Sequence, residues 1–291
     1  MNAVAIVLLR ALAHLPLGLL YSVSTVLHVV LRDVIGYRKR VIIQNLQRAF
    51  PDRSTAEVKA IARSYYQYLA DLIVESIYLH AMTAEELRAH VVFENPELLH
   101  ALEADGKRGM IMMGHSGNWE WAGLATAERF SFTLLPIYRK IKNDAMDDFM
   151  RKLRSRFSSH PVHDKEAFDA AVKHPLPHTF AVLADQTPSG KKGWWLKFLN
   201  QETPFYRGGE VLAERFGYEV VFAHVLRAGR GQYRIHLERY HEPANNDRGA
   251  MTKAFASFLE EHIRQQPENW LWSHKRWKHQ ANEQSVWIDR G

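Results

Sequence analysis

The chain has 291 residues, 46% of them hydrophobic, and a formal net charge of +6. That length buries a full core as one large domain or two small ones. It contains no cysteine, which excludes disulfide staples, thiol catalysis and metal sites built on thiolates. The basic residues are scattered, with small clusters at Arg38-Lys39-Arg40 and at Lys275-Arg276 with Lys278, and no tract of the nucleic-acid kind. A basic surface without such a tract suits anionic lipid or an acidic protein partner.

From Leu15 to Leu31 the chain reads LPLGLLYSVSTVLHVVL, without a formal charge. A bilayer is crossed by roughly 17–25 apolar residues, so this run sits at the short end of that range. Arg32, Arg38, Lys39 and Arg40 follow at once. By the positive-inside rule the domain behind them faces the cytoplasm. A cleaved signal peptide fits poorly, because the apolar part is long and no small-x-small site precedes a polar start. Residues 1–32 are therefore expected to be a membrane-anchoring helix, spanning or lying deep in the interface, and residues 33–291 a single further domain.

Residues 54–80 carry a long amphipathic pattern, opened by Ser54 and Glu57 at capping-box spacing. Thr83 and Glu86 repeat that signature before a shorter helix. The pattern then changes. Apolar runs of strand length lie at 109–113, 132–138, 179–184, 219–226 and 232–238, and helical patterns at 117–130, 143–157, 165–173, 207–216 and 249–266. Strand alternating with helix predicts an α/β domain with a mixed central sheet flanked by helices. Active sites in such sheets gather where strands end and helices begin.

One such junction reads GHSGNWEW, residues 114–121. It nearly satisfies the nucleophile-elbow pattern G-x-S-x-G, with Asn118 in the fifth place, which would make Ser116 the nucleophile of a hydrolase or thioesterase. A second reading starts from His115 and Glu120. A carboxylate one turn into the following helix can reach back to one imidazole nitrogen, fix the tautomer, and leave the other nitrogen to deprotonate a hydroxyl. Gly114 and Gly117 let backbone approach closely, and free N–H groups at the helix start offer an oxyanion site.

Further blocks separate the two readings. IMMGHSGNWEWAG resembles the H-x4-D/E block of the bacterial lipid A late acyltransferases, the lauroyl and myristoyl transferase family, relatives of the glycerolipid acyltransferases. RKRVIIQNLQRAFPDRS, PIYRKIKND, VLADQTPSGKKGWWLKFLNQETPFYRGGEVLAERFG and PENWLWSHKRWK resemble other blocks of that family in order, so the likeness runs over nearly the whole chain. It implies a glycerolipid-acyltransferase-like fold. It implies an inner-membrane protein, single-pass or peripheral, with its catalytic domain on the cytoplasmic side. The activity implied is transfer of a fatty acyl chain from acyl carrier protein to a hydroxyl of a lipid A precursor.

Residue by residue, the resemblance implies His115 as general base and Glu120 as its orienting partner. Arg139, Asp185, Gln186 and Asn118 are expected on the substrate. Arg139 suits a phosphate or the forming oxyanion, or else a surface salt bridge. Asp185 ends an apolar run, where a carboxylate is placed to pair with Arg139 or to cap a turn. A thioester is activated enough for one base and an oxyanion site, so no metal or cofactor is expected. The partners expected are acyl carrier protein, a lipid acceptor and the membrane, with no nucleic acid. The GHSGNWE form also occurs in lysophospholipid and aminolipid acyltransferase relatives, which leaves those acceptors open. Trp270, Trp272 and Trp277, interleaved with Lys275, Arg276 and Lys278, read as core packing with a basic rim.

Overall fold

The computed structural model describes residues 3–188, 193–243 and 247–289. The apolar N-terminus forms two helices rather than one, α1 (Ala3–Ala13) and α2 (Leu17–Val29). Pro16 stands at the break, where it lacks the N–H that a continuous helix would need. A π-helical turn, Val30–Val34, continues α2. Then follow α3 (Lys39–Ala49), α4 (Thr55–Tyr78), α5 (Ala84–His90), β1 (Val91–Phe93), α6 (Glu97–Asp105), β2 (Gly109–Met113), α7 (Trp119–Arg129), β3 (Thr133–Tyr138) and α8 (Asp144–Arg154). The second half holds β4 (Val162–His163), α9 (Ala167–Lys173), β5 (His178–Leu183), β6 (Gly193–Phe198), β7 (Gln201–Tyr206), α10 (Gly208–Phe216), β8 (Glu219–Gly229), β9 (Gln232–Arg239), α11 (Ala250–Gln265) and β10 (Val286–Trp287).

Both capping boxes form as their spacing predicts. Ser54 and Glu57 close the start of α4, and Thr83 and Glu86 that of α5, each pair satisfying two otherwise orphaned donors. Among the described residues, seven strands make the main sheet in the order β1-β9-β8-β2-β5-β3-β4. Neighbours run parallel except β8 and β9, an antiparallel pair. Helices cover both faces, so the central strand β2 is buried along its length. Met110 and Met112 enter one core with α3, α4, α10 and α11, while Ile111 and Met113 enter the other with α5, α6 and α7. Two-residue alternation divides them. Each fully buried side chain of this size contributes about 1.5–3 kcal/mol. A second sheet, β10-β6-β7, lies outside the main one.

The segment Leu17–Val34 is long and apolar enough to cross a membrane, and 11% of it is buried. It is not free of the domain. Ser24 Oγ donates to Asp71 on α4 at 2.5 Å, and Tyr21 OH donates to Glu75 at 2.8 Å. Arg230, beyond β8, donates to Tyr21 O and to Asp71. Val7, Leu8, Leu19, Val23, Val26, Val34 and Ile35 stay exposed.

Candidate active site

The carboxyl-terminal ends of β2 and β5 build the site. These strands are neighbours in parallel register, with Met113 opposite Leu183. Two residues further on, each chain presents a polar side chain, His115 from one and Asp185 from the other. The imidazole Nδ1–H donates to Asp185 Oδ1 at 2.5 Å, and the His115 main-chain N–H donates to Oδ2 at 2.8 Å. The Trp270 indole N–H adds a third bond to Oδ2 at 2.7 Å. Burial pushes the Asp185 carboxyl up, but the neighbouring imidazole and these donors outweigh it and bring it down to about 2. With Nδ1–H committed to Asp185, Nε2 carries the lone pair, and it accepts from the Gln186 amide at 3.0 Å.

The loop after β2 is held from two sides. The C-terminal segment clamps it: Gly117 N–H donates to Asn269 O, Leu271 N–H donates to His115 O, and Ser116 bridges Trp270. From α4, Tyr68 OH donates to Gly117 O at 2.6 Å. Two glycines are required by contact. A Cβ on Gly117 would stand 2.4 Å from Val225 O, and the residue has φ +55. A Cβ on Gly114 would stand 2.6 Å from Leu259 Cδ1 and 3.2 Å from Asp185 Oδ2.

His115 opens on a cleft of about 500 Å3 between β2, α7, β3 and α10. Its walls are mostly apolar, with Leu124, Ile137, Phe168, Val182 and Leu212 among them. Glu120, Arg139, Arg154 and Gln186 also line it. A larger cavity, about 810 Å3, lies between α10, β8, β9 and α11 and is lined by none of the expected site residues.

The cleft thus gathers His115, Glu120, Arg139 and Gln186, with Asp185 directly behind the imidazole. The carboxylate that holds Nδ1 is Asp185, where the H-x4-E spacing led us to expect Glu120. Glu120 instead accepts from Arg154 at both oxygens and from the Trp119 indole at 3.2 Å. Burial raises the Glu120 carboxyl, yet Arg154 beside it holds it below the usual range, with the His115 imidazole contributing in the same sense. Asp185 does not pair with Arg139. Arg139 reaches Asp164 and the Tyr206 hydroxyl, each at 3.0 Å, with its side chain 62% exposed at the cleft mouth.

Asn118 does not line the cleft. It is fully buried, its Oδ1 caps α7 by accepting Trp121 N–H, and its amide donates to Glu75 at 2.8 Å. Each end holds the loop, and full burial keeps the side chain out of the cleft. The Ser116 hydroxyl is buried without a hydrogen-bond partner, and the positive φ of the turn falls on Gly117 rather than on Ser116. Arg276, expected on a basic rim, is fully buried with its guanidinium 4.6 Å over the Phe205 ring. The Trp270 contact to Asp185 escaped the sequence; only its place in PENWLW marked it.

No curated protein matches the chain in sequence. A profile described as bacterial lipid A biosynthesis acyltransferase matches residues 2–279. That match takes in every element of the cleft and both segments that clamp the His115 loop. The chain belongs to the bacterial lipid A biosynthesis acyltransferase family and is an acyltransferase acting in lipid A synthesis.

Proposed function

We propose that His115 is the general base of this acyltransferase, with acyl carrier protein as donor and a hydroxyl of a lipid A precursor as acceptor. The observation that carries the reading is the division of the imidazole: Nδ1–H is fixed by Asp185, and Nε2 opens on an apolar cleft. The acceptor hydroxyl takes the place of the Gln186 amide at Nε2 and gives up its proton there. The alkoxide attacks the thioester carbonyl carbon. The tetrahedral intermediate collapses with cleavage of the C–S bond, and the imidazolium returns the proton to the departing thiolate. Asp185 holds the ring throughout and stabilises its protonated form.

Three other residues receive roles. The Gln186 amide, released from Nε2, donates to the reacting oxygens. Arg139, exposed at the mouth, binds a phosphate of the acceptor. Glu120 acts as a buried negative charge beside the imidazolium, in a pair shared with Arg154. The apolar walls take the acyl chain. A cleft of about 500 Å3 is within the range of sites that enclose a ligand of that size.

We place α1 and α2 in the membrane interface of the cytoplasmic leaflet. Their exposed apolar side chains favour lipid. A full crossing would draw Asp71 and Arg230, which bond to α2, and Arg227, paired with Asp71, into hydrocarbon at a high cost. The chain has no cysteine, so Ala3→Cys provides a single maleimide target. Labelling of that variant from outside spheroplasts would mean a crossing.

The test of the chemistry uses acylated carrier protein and a lipid A precursor, with products read by mass spectrometry. The wild type should add one acyl group to the lipid. His115→Ala should lose at least 10²-fold in rate, the usual share of a general base, and Ser116→Ala should stay near the wild type. Release of free fatty acid that depends on Ser116 would replace this reading with a hydrolase.

A further inference from the structure

A third cavity, of about 530 Å3, opens where the π turn after α2 meets α3 and α4. Its chemistry differs from that of the catalytic cleft. Lys39 and Ile43 are four apart on α3, and Val58, Lys59, Ala62 and Arg63 follow helical spacing on α4, so each helix turns one mixed face inward. The floor is apolar and the rim is basic. Arg32 is matched by Asp33 at 2.6 Å, and Asp33 is the acid at this cavity. Among the described residues, Lys39, Lys59 and Arg63 form no close ion pair; Asp33 feels Lys39 and Arg63 at longer range, but one acid against four cations leaves the concavity with an excess of positive charge. Val34, the last residue of the π turn, and Ile35, which follows it, are 76% and 62% exposed.

We infer that this cavity binds the phosphate headgroup of an anionic phospholipid. The inference rests on the interfacial placement of α2 given above. With the apolar face of α2 in the lipid, the π turn and the start of α3 stand at headgroup depth. The excess positive charge of Lys39, Lys59 and Arg63 there meets phosphate, and Ile43, Val58 and Ala62 meet the glycerol and upper acyl carbons. Basic residues beside an inserted amphipathic helix are attracted to anionic lipid in this way. A docking protein would need a broad face, whereas these cations line one concavity, with the exposed Val34 and Ile35 next in sequence to its Asp33.

The full-length protein is sedimented with phosphatidylcholine vesicles, with and without phosphatidylglycerol. The wild type should bind both, and the mixed vesicles more tightly. The triple variant Lys39→Glu, Lys59→Glu and Arg63→Glu should bind mixed vesicles roughly 100-fold more weakly than the wild type. Its binding to phosphatidylcholine and its turnover of detergent-dispersed substrate should be unchanged. A control with the same charge change at Lys173, Lys197 and Lys253 should retain the preference. Equal loss in the control, or undiminished binding by the triple variant, overturns the site. Displacement of the wild type by inorganic phosphate at constant ionic strength would assign the cavity to a free anion instead. Loss of turnover with carrier-protein donor, at unchanged vesicle binding, would make it a protein-docking face. If the wild type binds neither vesicle, the interfacial placement itself is wrong and this site falls with it, whereas a preference lost only by the triple variant bears on the site alone.

Discussion

Asp185 grips His115 twice, at the ring through Nδ1–H (2.5 Å) and at the backbone through the main-chain N–H (2.8 Å). One carboxylate therefore sets both the tautomer of the imidazole and the place of its Cα. Glu120 does neither. Asp185→Asn should lower kcat by about 10²–10⁴-fold with a smaller change in KM, because the ring loses its tautomeric bias while the cleft keeps its shape. Glu120→Gln should cost less, since it removes a charge beside the ring rather than the ring's partner. Steady-state rates of both variants, with circular dichroism as a check on folding, decide the order. A dead Glu120→Gln beside an active Asp185→Asn would restore the H-x4-E reading.

The same carboxyl makes a statement about acid stability. Its ordinary value is 3.8 and the fold brings it to about 2. A carboxyl lowered on folding contributes stability that is present above its unfolded value and lost as the pH falls through the folded one. Asp185 should therefore stabilise the fold by roughly 1–3 kcal/mol at neutral pH and lose that contribution between pH 4 and 2. Urea unfolding of the wild type and Asp185→Asn along a pH series checks this. The gap between them should be full at pH 6 and should close as the pH drops below 4. A gap independent of pH would mean the two proteins differ for another reason.

The strands that carry the site were legible, and the pairing that completes it was not. Residues 109–113 and 179–184 stand out as apolar runs, but their register, Met113 against Leu183, is a long-range fact that no local pattern encodes. Glu120 was the visible carboxylate because it is near in sequence, and Asp185 is the working neighbour because β2 and β5 are adjacent. The β6–β7 hairpin was missed for a different reason. Its turn is Leu199-Asn200, both at positive φ (48 and 61), where Asn-Gly would be the recognisable signal. Leu199 tolerates this because its side chain is fully buried and its amide donates to Glu260 at 2.6 Å. Asn118 and Arg276 were misplaced because polar residues were read as surface or substrate-facing, whereas buried donors and rings occupy them here.

Gly117 and Gly123 separate a required glycine from a permissive one. Gly117→Ala sets a Cβ 2.4 Å from Val225 O at φ +55. The left-handed conformation alone costs roughly 1–2 kcal/mol, and the clash adds to it, so the variant should unfold several degrees lower. Its activity should fall further than its stability, because the loop that shifts carries His115. Gly123 lies within α7, with nothing within 4 Å of an added Cβ. Gly123→Ala should be neutral or gain about 0.5–1 kcal/mol. Thermal melts of the two variants test the contrast, and equal melting temperatures would contradict the contact argument.

Glu75 links the N-terminal helix to the catalytic loop. Its carboxylate accepts from Tyr21 on α2, from Tyr233 on β9, and from Asn118 at the start of α7. Burial raises this carboxyl, and the three donors oppose the rise. A group whose charge is disfavoured by burial tolerates a neutral isostere, so Glu75→Gln should keep the fold and most of the activity. Glu75→Leu has similar bulk but leaves the buried Tyr233 and Asn118 donors unpaired, each at about 1–3 kcal/mol, and the half-buried Tyr21 hydroxyl as well. It should be strongly destabilised. Activity measured at a temperature where Glu75→Leu is still folded should also fall, since Asn118 loses the partner that fixes the turn after His115. Adding phospholipid tests the link to α2: if α2 and the loop are coupled through Glu75, vesicles should raise the melting temperature of the wild type and of Glu75→Gln more than that of Glu75→Leu. An equal rise in all three would show that α2 binds lipid without any coupling to the loop.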